Sequence, residues 1–477
     1  MSQVVFRGDP LYTATTFGYT PLSTIIVGLL MKLGGLLSLN TIESARIIGL
    51  LLYGSSCGSI FVLCKGLFKE KFAAPIACLL FCGLGYIQIL SGVNAEPKLW
   101  VLLFSILGIH FFNRKDWLLV GLFFSLAAMS WHVAMVSLFA TAIMLPWNSK
   151  QLLPVLYELF FGVFLGVLPV LFYLQLTDGW LDFWNQAIIR KLVIEGSDIG
   201  ETPFHWIKKG IYPHFILESL HFVLALFGFL IGLYEIVKKN INKPDTSIKK
   251  RTLIFLIIYS FLWVAFNSLD FQTNVDLLPL IPSVIIFSTL FFVEFFKKKH
   301  GSVATIVMTV MLIFYNFFDA FSYDLPYTFS EQVSAINRLK IKYKKPFVIG
   351  YEEYYTILQK PMPTKFLRYA NYEDHLIEKK DNGCISVGEL IVSEKYSVVV
   401  EFDISKRTRS KAAQKLVDLL RGDSEKEHIR SNCATYIIEN LTSSKEIDSF
   451  IIKYQSILFE DSFYDYKYYS VFEITEP

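Results

Sequence analysis

Between residues 43 and 321 the chain passes through a series of long apolar stretches, near 43–64, 72–91, 96–112, 116–130, 132–147, 152–175, 214–237, 252–268, 276–296 and 301–321. A bilayer core of about 30 Å takes about 20 apolar residues per helix, and lipid offers backbone amides no partner except the helix's own carbonyls. A chain with this pattern is expected to fold as an α-helical polytopic membrane protein of about 10 transmembrane helices. Composition agrees: 53% of residues are hydrophobic, only 18% are charged and the mean hydropathy is +0.45, well outside the soluble range. Residues 21–38, with Lys32, Gly34 and Gly35 among apolar runs, read as one further helix lying in the membrane interface. The stretches flanking Trp131 and His132 are short and fit either two spans or one long bent helix.

Charge placement separates those alternatives. The links after the first, third, fifth, seventh and ninth stretches carry fifteen basic residues: Lys65, Lys69, Lys71, Arg114, Lys115, Lys150, Lys238, Lys239, Lys243, Lys249, Lys250, Arg251 and Lys297 to Lys299. The alternate links carry four: Arg190, Lys191, Lys208 and Lys209. Cytoplasmic loops hold the excess of Lys and Arg, so the asymmetry predicts the orientation and favours a break at Trp131. Residues 1–20, the long loop 176–213 and everything after 321 then fall on the outer face. The small net charge of +3 is a matter of membrane orientation, and no nucleic-acid module is visible.

Residues 1–322 read as the transmembrane domain, with 1–42 as a first outer loop and interfacial helix. Residues 323–477 are charged and alternating, with strand-like runs at 346–350, 396–403, 434–438 and 468–474. Helical patterns lie at 330–342, 408–421 and 443–457. This mixture predicts a small soluble C-terminal extracytoplasmic α/β domain. It has no Gly-rich phosphate loop, which argues against nucleotide binding. Asn440-Leu-Thr442 is an isolated glycosylation sequon. Six cysteines form no metal pattern: Cys57, Cys64, Cys78 and Cys82 lie in apolar segments as small hydrophobes, while Cys384 and Cys433 in the tail leave a disulfide open.

Chemistry on the outer face would draw on few residues. Asp9 is the sole carboxylate before Glu43, set between Gly8 and Pro10 in a turn. Glu96, in Asn94-Ala-Glu-Pro97, opens a span; it is also what an ordinary helix start looks like. His132 sits at an outer turn, where an imidazole either binds an anion when charged or is hydrogen-bonded structure. Arg190 and Lys191, with Lys208, Lys209, Trp180, Trp184 and Trp206 in the same loop, fit either ligand binding or headgroup anchoring. Glu218 and His221, three apart, share a helix face near a span's outer end.

Three segments carry a family likeness. Gly8-x-Pro10-x-Tyr12, followed by Tyr19-Thr-Pro21-Leu22 opening an amphipathic helix, resembles the first extracytoplasmic loop of the GT-C class of polytopic glycosyltransferases, which includes the aminoarabinose and mannosyl transferases that use polyprenyl-phosphate-linked sugars. Glu96 matches the acidic residue that often opens the corresponding span of that family, and Asn274-Val-Asp276 before Pro279 and Pro282 resembles its late motif, although the base that commonly precedes it is missing. The resemblance implies a sugar moved from a polyprenyl-phosphate donor to a lipid or glycan acceptor, by direct displacement, on the outer face of a membrane, the bacterial cytoplasmic membrane being the expected one. It implies Asp9 and Glu96 as catalytic carboxylates, and His132, Arg190, Lys191, Tyr12 and Tyr19 as donor-phosphate or substrate contacts. His132 stands where many members have a lysine. No cofactor is required by these residues, and a divalent metal is left open.

In that family the principal carboxylate lies just after a first transmembrane helix, upstream of the matched loop, so the sequence leads one to expect a preceding helix and acidic residue that this chain lacks. Two other readings keep the membrane array. One is an O-antigen ligase or polymerase, which would favour a larger late outer loop. The other is a transporter, which would favour internal repeats and more buried charge.

Overall fold

The computed structural model describes most of residues 20–189, together with 219–238, 247–267, 274–296, 346–349, 397–404, 442–455, 464–474 and a few isolated positions. The chain divides into two compact units, one holding the helices up to residue 296 and the other the four strands.

The helical unit comprises α1 (Leu22–Leu36), α2 (Thr41–Leu67), α3 (Ala73–Cys82), α4 (Gly85–Val93), α5 (Pro97–Arg114), α6 (Trp117–Ser130), α7 (Val136–Ile143), α8 (Ser149–Leu176), α9 (Ser219–Lys238), α10 (Ser247–Asn267) and α11 (Ile281–Phe296). Segments 43–67, 150–176 and 277–296 are long and apolar enough to cross a membrane by themselves. Others are shorter than the sequence suggests. The stretch at 72–91 is broken at Gly83 and Leu84 into α3 and α4. The stretch at 276–296 opens with a 3-10 turn over Asn274–Leu280, where Pro279 removes a donor, before α11 begins. Most of 301–321 lies outside the described residues.

Tight turns and small residues set the helix directions. Lys115 caps α5 in the left-handed region, φ 62°, and Asp116 Oδ1 accepts the Leu119 amide at 3.2 Å to start α6. The two helices then lie antiparallel: Phe111 stacks on Phe123 with centroids 5.4 Å apart, and a Cβ on Gly108 would fall 2.3 Å from the Phe124 ring. Against the other side of α6 lies α8. A Cβ on Gly162 would fall 2.0 Å from Leu118 O and one on Gly166 2.8 Å from Leu122 O, while one on Gly121 would meet Leu159 O at 2.2 Å. Backbones touch here because no side chain intervenes, the small-residue packing that membrane helices use.

Because Leu118 lies beside Gly162 and Leu122 and Ser125 lie beside Gly166, α6 and α8 run parallel. The chain between them must therefore return across the bundle. It does so after Trp131, which is extended (φ −154°, ψ 118°), through a 3-10 turn at His132–Met135 and then α7. This is the break that the charges favoured over one bent helix.

Helix α10 also runs parallel to α6: Arg251 lies over the Trp117 ring, Phe255 stacks on Phe124 and Trp263 on Trp131. One end of the bundle consequently gathers the basic residues. Arg251 lies 4.8 and 5.0 Å from the ring centroids of Trp117 and Phe112 and donates to Met144 O at 3.2 Å. Beside it, Thr252 Oγ1 donates to buried Asn113 Oδ1 at 2.8 Å, and Asn113 Nδ2 donates to Gly66 O at 3.4 Å. Lys65, Arg114, Lys115 and Lys250 adjoin these residues in sequence.

The second unit holds a four-stranded sheet in the order β1-β2-β4-β3, from β1 (Pro346–Ile349), β2 (Ser397–Ile404), β3 (Thr442–Gln455) and β4 (Tyr464–Ile474); β1 and β2 are parallel and the other pairs antiparallel. β3 occupies the stretch whose periodicity suggests a helix at 443–457. Its Ile447, Phe450, Ile451, Ile452 and Tyr454 have helical spacing but are β-branched or aromatic, and pairing of Phe450 with Tyr469 and Ile451 with Tyr468 decides the outcome. The strand-like run at 434–438, the helical patterns at 330–342 and 408–421, and both Cys384 and Cys433 lie outside the described residues.

Candidate functional site

Opposite the basic end, the first turn of α5 meets the end of α6. Glu96 is the N-cap residue of α5 and Pro97 opens the helix, but the Glu96 side chain makes no capping hydrogen bond. Its carboxylate is thus not spent on the helix start that the sequence alone allows. Glu96 is half-buried and feels the Lys98 ammonium two residues on. Lys98 reaches across to α6, where its Nζ lies 4.6 Å from the centroid of the Trp131 ring, a cation–π contact worth about 0.5–2 kcal/mol. Trp131 also stacks on fully buried Trp263 of α10, with centroids 5.6 Å apart. His132, half-buried, begins the 3-10 turn immediately after.

Two further segments arrive at this end. Thr20 Oγ1 donates to Ala128 O at 3.1 Å, which brings the close of the first loop to the last turn of α6. Tyr259, one turn before Trp263, donates through its hydroxyl to Pro279 O at 2.8 Å, which brings in the 3-10 turn. The segments around 20–22, 94–97 and 274–282, which carry the family likeness, therefore converge on one end of the bundle.

Of the residues singled out from sequence, Glu96 and His132 are thus placed at one end, linked through Lys98 and Trp131. Asp9, Tyr12, Tyr19, Arg190 and Lys191 lie outside the described residues, as do Glu218, Lys208, Lys209 and Trp206. His221 is fully buried and donates from Nε2 to Leu80 O at 3.0 Å, which ties α9 to α3. Trp180 and Trp184, just past the end of α8, are exposed, and Trp180 Nε1 donates to Gln175 Oε1 at 3.2 Å, as suits aromatic residues at an interface. Among the described residues no group of three or more His, Cys, Asp or Glu could hold a metal ion.

Lys98 was not singled out by sequence reasoning. A signal for it existed: a lysine in the first turn of a helix opposes the macrodipole, so its placement two residues after Glu96 is not explained by helix stability.

No protein-family model matches the sequence, and no curated protein matches it. Solved structures do. ArnT from Cupriavidus metallidurans bound to undecaprenyl phosphate superposes with a TM-score of 0.58 at 10% identity, over 98% of this chain and 92% of that one. The apo state of the same ArnT gives 0.54 at 12% identity over 87% and 88%. The chain has the fold of ArnT. At this identity the agreement is one of fold, and it runs over nearly the whole of both chains, so the GT-C likeness read from short segments extends to the architecture that holds them.

Proposed function

We propose that the protein is a membrane glycosyltransferase of the GT-C type, moving a sugar from a polyprenyl-phosphate donor to a lipid or glycan acceptor on the outer face of the membrane. The observation that carries this reading is the near full-length fold agreement with an ArnT bound to undecaprenyl phosphate. In the same reading the membrane is the bacterial cytoplasmic membrane, the helices make about ten crossings, and residues 323–477 form an α/β domain outside.

Displacement at the sugar carbon needs a base for the acceptor hydroxyl and positive charge for the departing phosphate. Glu96 serves as a carboxylate that deprotonates or orients the acceptor. Lys98, over the Trp131 ring, and His132, next to Trp131 in sequence, supply positive charge for the phosphate. Asp9 is the second carboxylate, with Tyr12, Tyr19, Arg190 and Lys191 as further donor contacts.

The test is transfer of label from polyprenyl-phosphate-linked sugars to a lipid extract by the purified full chain. We expect donor-dependent transfer, and Glu96→Gln to lower turnover by about 10²–10⁴-fold, the range of a lost general base. Donor-independent activity, or unchanged turnover in both Glu96→Gln and Asp9→Asn, would overturn the proposal.

A further inference from the structure

Three of the cysteines in the apolar segments meet at the break between α3 and α4. Cys57 of α2 and Cys82, the last residue of α3, have their Sγ atoms 3.7 Å apart, and Cys78, one turn earlier on α3, donates from Sγ to Cys57 O at 3.6 Å. Gln88 of α4 closes the cluster: its Nε2 donates to the Tyr53 hydroxyl at 3.4 Å and to Cys82 O. Cys57, Cys78 and Cys82 are half-buried residues, whereas Cys64, two turns further along α2, is fully buried. Beside Cys57 the surface of α2 is open, since a Cβ on either Gly54 or Gly58 would meet nothing within 4 Å.

We infer that Cys57 and Cys82 are a site of reversible oxidation, closing to a disulfide when the membrane is exposed to hydrogen peroxide. The sulfurs are in van der Waals contact, and a bond of about 2.05 Å requires them to approach by less than 2 Å. Cys82 can supply that movement, because the helix ends at it and Gly83 follows. Peroxide is small enough to enter beside Gly54 and Gly58. It transfers one oxygen to the first sulfur, giving a sulfenic acid and one water; the second sulfur then displaces that oxygen as a second water, forming the disulfide. Two thiols and one peroxide thus yield one disulfide and two waters. The link would fasten α2 to the end of α3. Cys64, with no such access, stays a thiol.

The experiment does not depend on the glycosyltransferase reading. The full chain in membranes is treated with hydrogen peroxide and then denatured in sodium dodecyl sulfate, remaining thiols are capped with N-ethylmaleimide, and peptides are compared by mass spectrometry before and after reduction. We expect a Cys57–Cys82 linked peptide, lighter than its two parts by two hydrogens and lost on reduction. It should be abolished in Cys82→Ser and retained in Cys78→Ser, with Cys64 fully capped in every sample. Capping of both Cys57 and Cys82 after peroxide, their separate conversion to sulfinic acids, or a link to Cys78 in the parent chain would overturn the inference.

Discussion

The glycine seam between α6 and α8 gives the sharpest test of the architecture, because the return of the chain at Trp131 follows from it. Alanine at Gly162 would put a Cβ 2.0 Å from Leu118 O. An ordinary contact begins near 3.4 Å, so the two backbones would have to part by about 1.4 Å, the difference between those distances, and a backbone carbonyl cannot swing aside as a side-chain tip can. Overpacking of this kind costs about 1–3 kcal/mol, and the upper half of that range is expected here. The same substitution also removes glycine's helix penalty, about 1 kcal/mol in the opposite direction. Gly54 and Gly58 isolate that second effect, since a Cβ at either meets nothing within 4 Å. Unfolding by sodium dodecyl sulfate titration in mixed micelles should therefore rank Gly162→Ala well below the parent, Gly121→Ala similarly low, and Gly54→Ala and Gly58→Ala level with it or above. If Gly162→Ala and Gly58→Ala move the midpoint alike, the helices do not meet at these glycines, and the parallel arrangement of α6 and α8 falls with them.

Other outcomes follow from the two ends of the bundle. If ionised Glu96 is the base, turnover should climb with pH along an acidic limb, and this limb should vanish from the residual activity of Glu96→Gln. Lys98→Met should raise the donor KM more than it lowers kcat, with Lys98→Arg partly restoring it; a melting-temperature drop with unchanged KM would make Lys98 a packing residue. Asn113→Leu, at the opposite end, should cost about 1–2 kcal/mol through its lost hydrogen bonds to Thr252 and Gly66 while leaving KM unchanged.

Much of this was legible in the residues because membrane helices are specified by long apolar runs and charged ends, which local sequence displays. Trp131 was marked as a break by charges on either side of it, and Glu96 by the proline after it. What local sequence does not display is which helices touch. That Lys98 lies over Trp131 is visible only once α5 and α6 are laid antiparallel. Cys57 and Cys82 read as two unrelated small apolar residues until α2 and α3 pack. The break at Gly83 lies inside an apolar run of span length, and β3 has helical spacing that strand pairing overrides. In each case the deciding partner is distant in sequence.

The direct contact of α6 with α8 has a mechanical consequence. Since those two helices close on each other through glycine, the segment from Trp131 to Trp147 is an excursion that the seam does not need as filler; it is held against α10 by the Trp131–Trp263 stack and the Arg251 bond to Met144 O. His132 stands at the start of that excursion, while Glu96 and Lys98 stand on α5, which is clamped to α6 through Gly108 and Phe111. The scaffold of α5, α6 and α8 is therefore closed without the segment that carries His132, and that segment leans on α10 instead.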